Sequence, residues 1–99
     1  MRWRRQTWPH VLADLGRGLG RLGRRAEAIA ALAEATSAME QFDTVYLQGS
    51  ALEALAALLA EEGRVAESRR TYARAAQIIF QAVGDAEAYL RCRDLAAAP

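Results

Sequence analysis

His10 and Cys92 are the one histidine and the one cysteine of this 99-residue sequence. They are also its most versatile side chains. A histidine can serve as a general base when a nucleophile and an orienting group stand within reach. No such set accompanies His10, which reads as a surface or groove residue near the first turn of a helix. Cys92 falls on the apolar side of a helical pattern, where a buried structural thiol is expected. A lone cysteine cannot close an internal disulfide, which fits a reducing compartment. One histidine and one cysteine do not make a metal set. Glu53, Glu61 and Glu62 could act as paired acids, but adjacent glutamates on a helix usually face water. Gly16, Gly18, Gly20 and Gly23 look superficially like a phosphate-binding loop. They lie inside a leucine-striped helix with no strand before them and no lysine after them. The residues therefore predict no enzymatic activity, no metal and no cofactor.

Charge carries more information than any single residue. All thirteen basic residues are arginine, lysine and asparagine are absent, and the formal net charge is +1. Such usage suggests a GC-rich bacterial genome. Residues 1–25 carry seven arginines against Asp14; residues 26–62 carry seven acids and no arginine; residues 63–99 carry six arginines against four acids. These blocks of +6, −7 and +2 offer a route to self-association, in which opposite charges steer encounter more than they set affinity. The segment Arg2-Trp3-Arg4-Arg5-Gln6-Thr7-Trp8 mixes cations with aromatics, a combination suited to nucleic-acid backbones and stacked bases. It is short, and the rest of the chain is not basic. Nucleic acid is thus a lesser alternative, with the rings covering the first helix as the plainer role. No apolar run reaches the ~18 residues of a membrane span. The positive start is not followed by the apolar stretch of a secretory signal. A cytoplasmic protein with no membrane contact is expected.

The elements that must position these residues are helical. Apolar residues make up 53% of the chain, and many are alanine, the strongest helix former. A chain of this length buries roughly two-thirds of its unfolded surface, enough for one core. The segment Gly23-Arg24-Arg25-Ala26-Glu27-Ala28 returns as Gly63-Arg64-Val65-Ala66-Glu67-Ser68, a shift of forty. Leu12, Leu15, Leu19 and Leu22 before the first glycine align with Leu52, Leu55, Leu59 and Glu62 before the second. Leu32 and Ala35 answer Tyr72 and Ala75. Each unit reads as a helix with one leucine stripe, a glycine that ends it in the left-handed conformation, and a second, antiparallel helix. The spacing predicts helices over 9–22, 25–41, 44–62, 65–82 and 86–97. Pro9 suits a first turn. Asp43 and Asp85 are N-cap candidates, and Gly84 ends the fourth helix. Gly18 and Gly20 weaken the first helix by up to ~1 kcal/mol each relative to alanine.

These residues resemble the tetratricopeptide repeat family. Its pattern of large residue, Leu-Gly, aromatic or Leu, Gly, Ala, aromatic and Ala is matched by Leu12, Leu15-Gly16, Leu19, Gly23, Ala28, Leu32 and Ala35. The second unit answers with Leu52, Leu55-Ala56, Leu59, Gly63, Ser68, Tyr72 and Ala75. The match covers residues 9–97. The period departs from the family's usual ~34 residues. The longer repeat, its GRxAE phrase and the tail Ala76, Phe80, Gly84, Asp85 are similar to sensor arrays of large bacterial regulators. The chain would then be one piece of a longer array or a free-standing relative. The resemblance implies an all-α, right-handed superhelix: a basic and aromatic segment 1–8, hairpins 9–42 and 43–83, and a capping helix 85–97. Gly16 and Ala56 would let paired helices approach, facing Ala28 and Ser68.

The same resemblance implies a concave groove lined by the first helix of each hairpin. Carried over by position, the groove residues are His10, Ala13, Arg17 and Arg21, then Ser50, Glu53, Ala57 and Glu61. The Lys and Asn set with which some members clamp a terminal carboxylate is missing. The implied role is a protein–protein interaction scaffold that takes a peptide or helical partner, stacks on neighbouring repeats, or forms a homo-oligomer. Alternatives are a sensor domain that binds a small peptide signal in a transcriptional regulator, and an accessory nucleic-acid binder acting through the Arg/Trp segment. These charges could also serve solubility alone.

Overall fold

The computed structural model describes residues 8–41, 45–82 and 84–98, which form α-helices and include no strand. In chain order they are α1 (Trp8–Arg21), α2 (Arg25–Gln41), α3 (Val45–Glu61), α4 (Val65–Ala82) and α5 (Ala86–Ala97). The two short reversals inside the hairpins are built identically. Gly23 and Gly63 take φ values of +81° and +80°, a conformation open to glycine at no Cβ cost. The amide of the following arginine then donates back to a leucine carbonyl, Arg24 to Leu19 at 3.0 Å and Arg64 to Leu59 at 2.9 Å. That closure is a Schellman motif. The repeated arginine and glutamate also have a task. Arg24 grips Glu27 through two hydrogen bonds of 2.8 and 2.7 Å, and Arg64 grips Glu67 with the same two lengths. Each pair clasps the first turn of an outgoing helix, where the helix dipole favours the carboxylate. The hydrogen bond from Arg64, aided by charge attraction, holds the Glu67 carboxyl below its ordinary range.

Each helix packs on its neighbour in the chain, with a smaller contact between α1 and α3. The result is a slab 43 × 30 × 18 Å. One cluster joins Ala13, Ala28, Leu32, Ala35 and Met39 to Ala51, Leu55, Leu58 and Leu59; a second joins Leu52 and Ala56 to Tyr72, Ala75, Ala76, Ile79, Ala88 and Cys92. Helix α3 therefore contributes to both clusters. The helices draw close where side chains are small. A Cβ added to Gly16 would stand 2.7 Å from Leu32 Cγ and 3.3 Å from the Ala28 carbonyl oxygen. Ser68 sits against Ala56, its hydroxyl donating to the Ala56 carbonyl at 2.7 Å. Gly49 provides a third close approach, which the repeat pattern does not announce: a Cβ there would meet Ile79 Cγ1 at 2.7 Å.

Helix α5 begins as expected, with Asp85 accepting from the Ala88 amide at 3.0 Å, and Gly84 takes φ +68°. The expected cap at Asp43 and the covering role given to Trp3 and Trp8 fall outside the described residues and side chains. The leucine stripe of α1 divides. Leu12 and Leu19 pack against the core, whereas Leu15 is 55% and Leu22 75% exposed. Leu55, the repeat mate of Leu15, is 7% exposed. The reason is positional: α2 packs on α3, whereas no described helix precedes α1. No described helix is long and apolar enough to cross a membrane.

Two glycines of α1 should respond oppositely to the same substitution. Gly16→Ala forces a Cβ onto a fully buried leucine and should lower unfolding free energy by about 1–3 kcal/mol. A Cβ at Gly18 meets nothing within 4 Å, so Gly18→Ala should raise it by about 0.5–1 kcal/mol through helix propensity. Urea denaturation followed by circular dichroism measures both.

Candidate binding face

Around α3 the surface residues divide into two sets. At 100° per residue, Ser50, Glu53, Ala54, Ala57 and Glu61 share one side, and Leu52 and Leu55 point roughly the opposite way. The first set lines two depressions. One, of about 270 Å³, lies between α1 and α3 and is walled by Arg17, Arg21, Ala57 and Glu61, with Gly20 and Leu58 also in its lining. The other, of about 250 Å³, lies toward α5 and includes Ser50, Glu53, Asp85 and Arg91. Arg17 links them, since it walls the first depression and donates to the Ser50 hydroxyl of the second at 3.1 Å. The opposite face carries a depression of about 370 Å³ between α2 and α4, where Leu52 and Leu55 form part of the lining below Thr36, Glu40, Arg70 and Arg74.

Of the eight positions carried over as groove residues, six therefore fall on one face. Ala13 does not: it is 1% exposed and belongs to the core, because α1 turns that side toward α2 and α3. His10 is half-buried and lines neither depression. Its Nε2 is buried without a hydrogen-bond partner among the described residues. Arg91 lines the same face, beside Ser50 and Glu53, and the repeat alignment misses it. A shift of forty carries Ser50 to Leu90, but α3 starts at Val45 and α5 at Ala86. The offset between these two helices is forty-one, and it carries Ser50 to Arg91.

The charge blocks meet inside the molecule. Arg25 pairs with Glu62 at 2.8 Å, Glu40 with Arg74, and Glu53 with Arg91 at 2.6 Å. Each pair joins the acidic middle block to a basic flank across two helices. Acids that could have met a second molecule are partly spent on partners in the same chain. On the binding face this leaves Arg21 and Glu61 without an ion pair among the described residues, at the α1 end. The Glu53–Arg91 pair is two-pronged, with a second bond of 3.1 Å. It raises the Arg91 pKa chiefly through that hydrogen bonding, then through charge attraction. Glu62 and Glu53 are thus tied to arginines, and no group of three or more potential metal ligands occurs among the described residues.

Cys92 lies in the α3–α5 core, fully buried. Burial, then the nearby Glu53 charge, pushes its thiol up to about 11. An unfolded cysteine titrates near ~8.5. The folded state therefore keeps its advantage below that value and loses it as the pH rises toward about 11. No family model matches the chain, and neither a curated protein nor a solved structure matches it significantly.

The clamp and the thiol give a paired expectation. In the folded protein Cys92 should resist an aromatic disulfide reagent on the time scale that labels an exposed thiol. Glu53→Gln loosens α5 and should speed labelling by up to about fivefold, the effect of a surface ion pair worth up to ~1 kcal/mol. An unchanged labelling rate in that variant would show that the pair does not hold α5 down.

Proposed function

We propose that the chain is a protein-interaction module of tetratricopeptide-like build, which receives an extended or helical peptide segment along the face formed by α1, α3 and α5. The observation that carries this reading is the gathering of Arg17, Arg21, Ser50, Glu53, Ala57 and Glu61, with Arg91, onto one side of the slab. Two further features support it. The forty-residue repeat is reproduced in both turns, down to the arginine–glutamate clasp. The face also consists of two open depressions linked by Arg17, a shape that fits a segment of chain better than an enclosed small molecule. This favours the interaction reading over a sensor pocket.

The chemistry of the face sets the partner's character. At the α1 end Arg17 and Arg21 stand opposite Glu61, and toward α5 the charges of Glu53 and Arg91 are tied to each other. A partner that carries both signs, an acid set against Arg21 and a base against Glu61, fits better than a uniformly charged one. Ala54, Ala57 and Leu58 give the α1–α3 depression a small apolar lining. It accepts a side chain of modest size.

A photoreactive amino acid placed at Ala57, which is exposed inside the α1–α3 depression, should cross-link a partner from the native cell. The same amino acid at Ser37, in the α2–α4 depression, should not. Arg21→Glu should reduce the Ala57 adduct. Cross-linking through Ser37 with none through Ala57 would move the binding surface to the other face and end this reading.

A further inference from the structure

The exposed apolar residues of α1 and of the turn that follows lie on a line, with Leu22 one residue past the end of the helix. Val11, Leu15 and Leu22 are 40%, 55% and 75% exposed, and with Gly18 they follow one another at intervals of four, three and four residues. That is the spacing at which side chains of one helix face a second helix packed along it. Gly18 has nothing within 4 Å of where its Cβ would stand, so a second helix can come close at the middle of the seam. The repeat indicates what such a face is for. Val11 and Leu15 correspond by the forty-residue shift to Ala51 and Leu55, which are 0% and 7% exposed in the core shared with α2. The Val11 and Leu15 part of this face is thus of the kind that another helix covers, while Leu22 answers the exposed Glu62.

We propose that the cover is α1 of a second copy, packed antiparallel in a twofold-symmetric dimer. Charge singles out this occupant. With Leu15 of one copy set against Gly18 of the other, Val11 falls against Leu22 at both ends. The same register brings Asp14 of each copy beside Arg21 of its mate. Asp14 is 79% exposed, and its one contact among the described residues is Arg17 at a long 3.4 Å; Arg21 is exposed and makes no ion pair among them. The two charges are therefore free to exchange partners, and the twofold axis makes the exchange reciprocal. A parallel pairing would set the flank that carries Asp14 and Arg21 against the opposite flank of the mate, so Asp14 would face Leu19 and both ion pairs would be lost. One helix face of 14 residues is about 21 Å long, at the small end of specific interfaces, where weak association is the rule. This inference deepens the interaction-module reading and rests on it: the pairing sets the two binding faces side by side, with Arg21 at the border of each.

Sedimentation equilibrium of the full chain across the micromolar range tests it. The wild-type protein should show a monomer–dimer equilibrium. Leu15→Glu changes an exposed side chain and should weaken the dimer by more than about tenfold, with helicity and melting unchanged. Asp14→Arg should weaken it as well, and adding Arg21→Asp to that variant should restore it, which a merely general charge effect would not do. A wild-type monomer throughout the range overturns the proposal, as does a dimer that survives Leu15→Glu or a double reversal without rescue. A monomer that dimerises only once residues 1–7 are removed overturns it too, by assigning the face to the chain's own N-terminal segment. Cross-linking through Ala57, repeated in the Leu15→Glu variant, separates the outcomes. Its persistence with the dimer lost leaves the groove standing, and its absence with the dimer intact removes the groove alone.

Discussion

Alanine buries little apolar area, so a core built largely from it must place its helices unusually near one another to gain dispersion contacts and exclude water. This constraint governs the rest of the molecule. The approach is made at Gly16 beside Leu32 and Ala28, at Ala56 beside Ser68, and at Gly49 beside Ile79. At the first and third of these a single added carbon would collide with a buried neighbour. The second carries a polar hydroxyl into the interior, and that group is tolerated because the Ala56 carbonyl accepts its proton. Large side chains are then needed at few positions. Leu32, Met39 and Cys92 are among the largest side chains that are fully enclosed.

The close packing explains the surface. Helix α3 is enclosed over more than half its circumference by α2 and α4, and its remaining strip carries Ser50, Glu53, Ala57 and Glu61. The strips left open on α1 and α5 lie beside it. The open face is the part of each odd-numbered helix that its even-numbered neighbours do not cover. The side chains on that face are polar because they remain wet, and they come together because α1 and α5 flank α3 on that side. Arg17 and Arg91, from the two flanking helices, each reach a residue of α3. The strip is thereby tied across its width.

Much of this was legible in the residues. The five helices begin and end within a residue or so of where the leucine spacing, the glycines and Asp85 put them, because glycine in the left-handed region and an aspartate cap are local effects that need no partner. Gly16, Ala28, Ala56 and Ser68 were recognisable as contact points through the repeat. What escaped depends on relations between helices. Ala13 shares the groove positions' periodicity but faces inward, since the rotation of α1 about its axis is set by packing against both α2 and α3. Leu15 matches the buried Leu55 yet lies open, because a repeat alignment cannot see that no described helix packs on α1 as α2 packs on α3. Gly49 lacks a repeat mate that would flag it: the position forty residues earlier is Pro9. Arg91 was hidden by a one-residue change in spacing between α3 and α5. The +6 and −7 blocks suggest a means of joining molecules, whereas much of that charge is paired within one.

The identical reversals at Gly23 and Gly63 carry an evolutionary corollary. Everything from one clasped turn to the next, residues 23–62, is a cassette whose ends are interchangeable: each end presents the same φ, the same backbone closure and the same arginine–glutamate grip. Duplicating that stretch in the gene would insert a further layer without rotating any existing one. Inserting a single residue inside a helix would instead turn the rest of that helix by 100° and tear the seams. The chain is built so that unequal recombination can lengthen it in steps of forty residues, and its growth is quantised by the geometry of its turns.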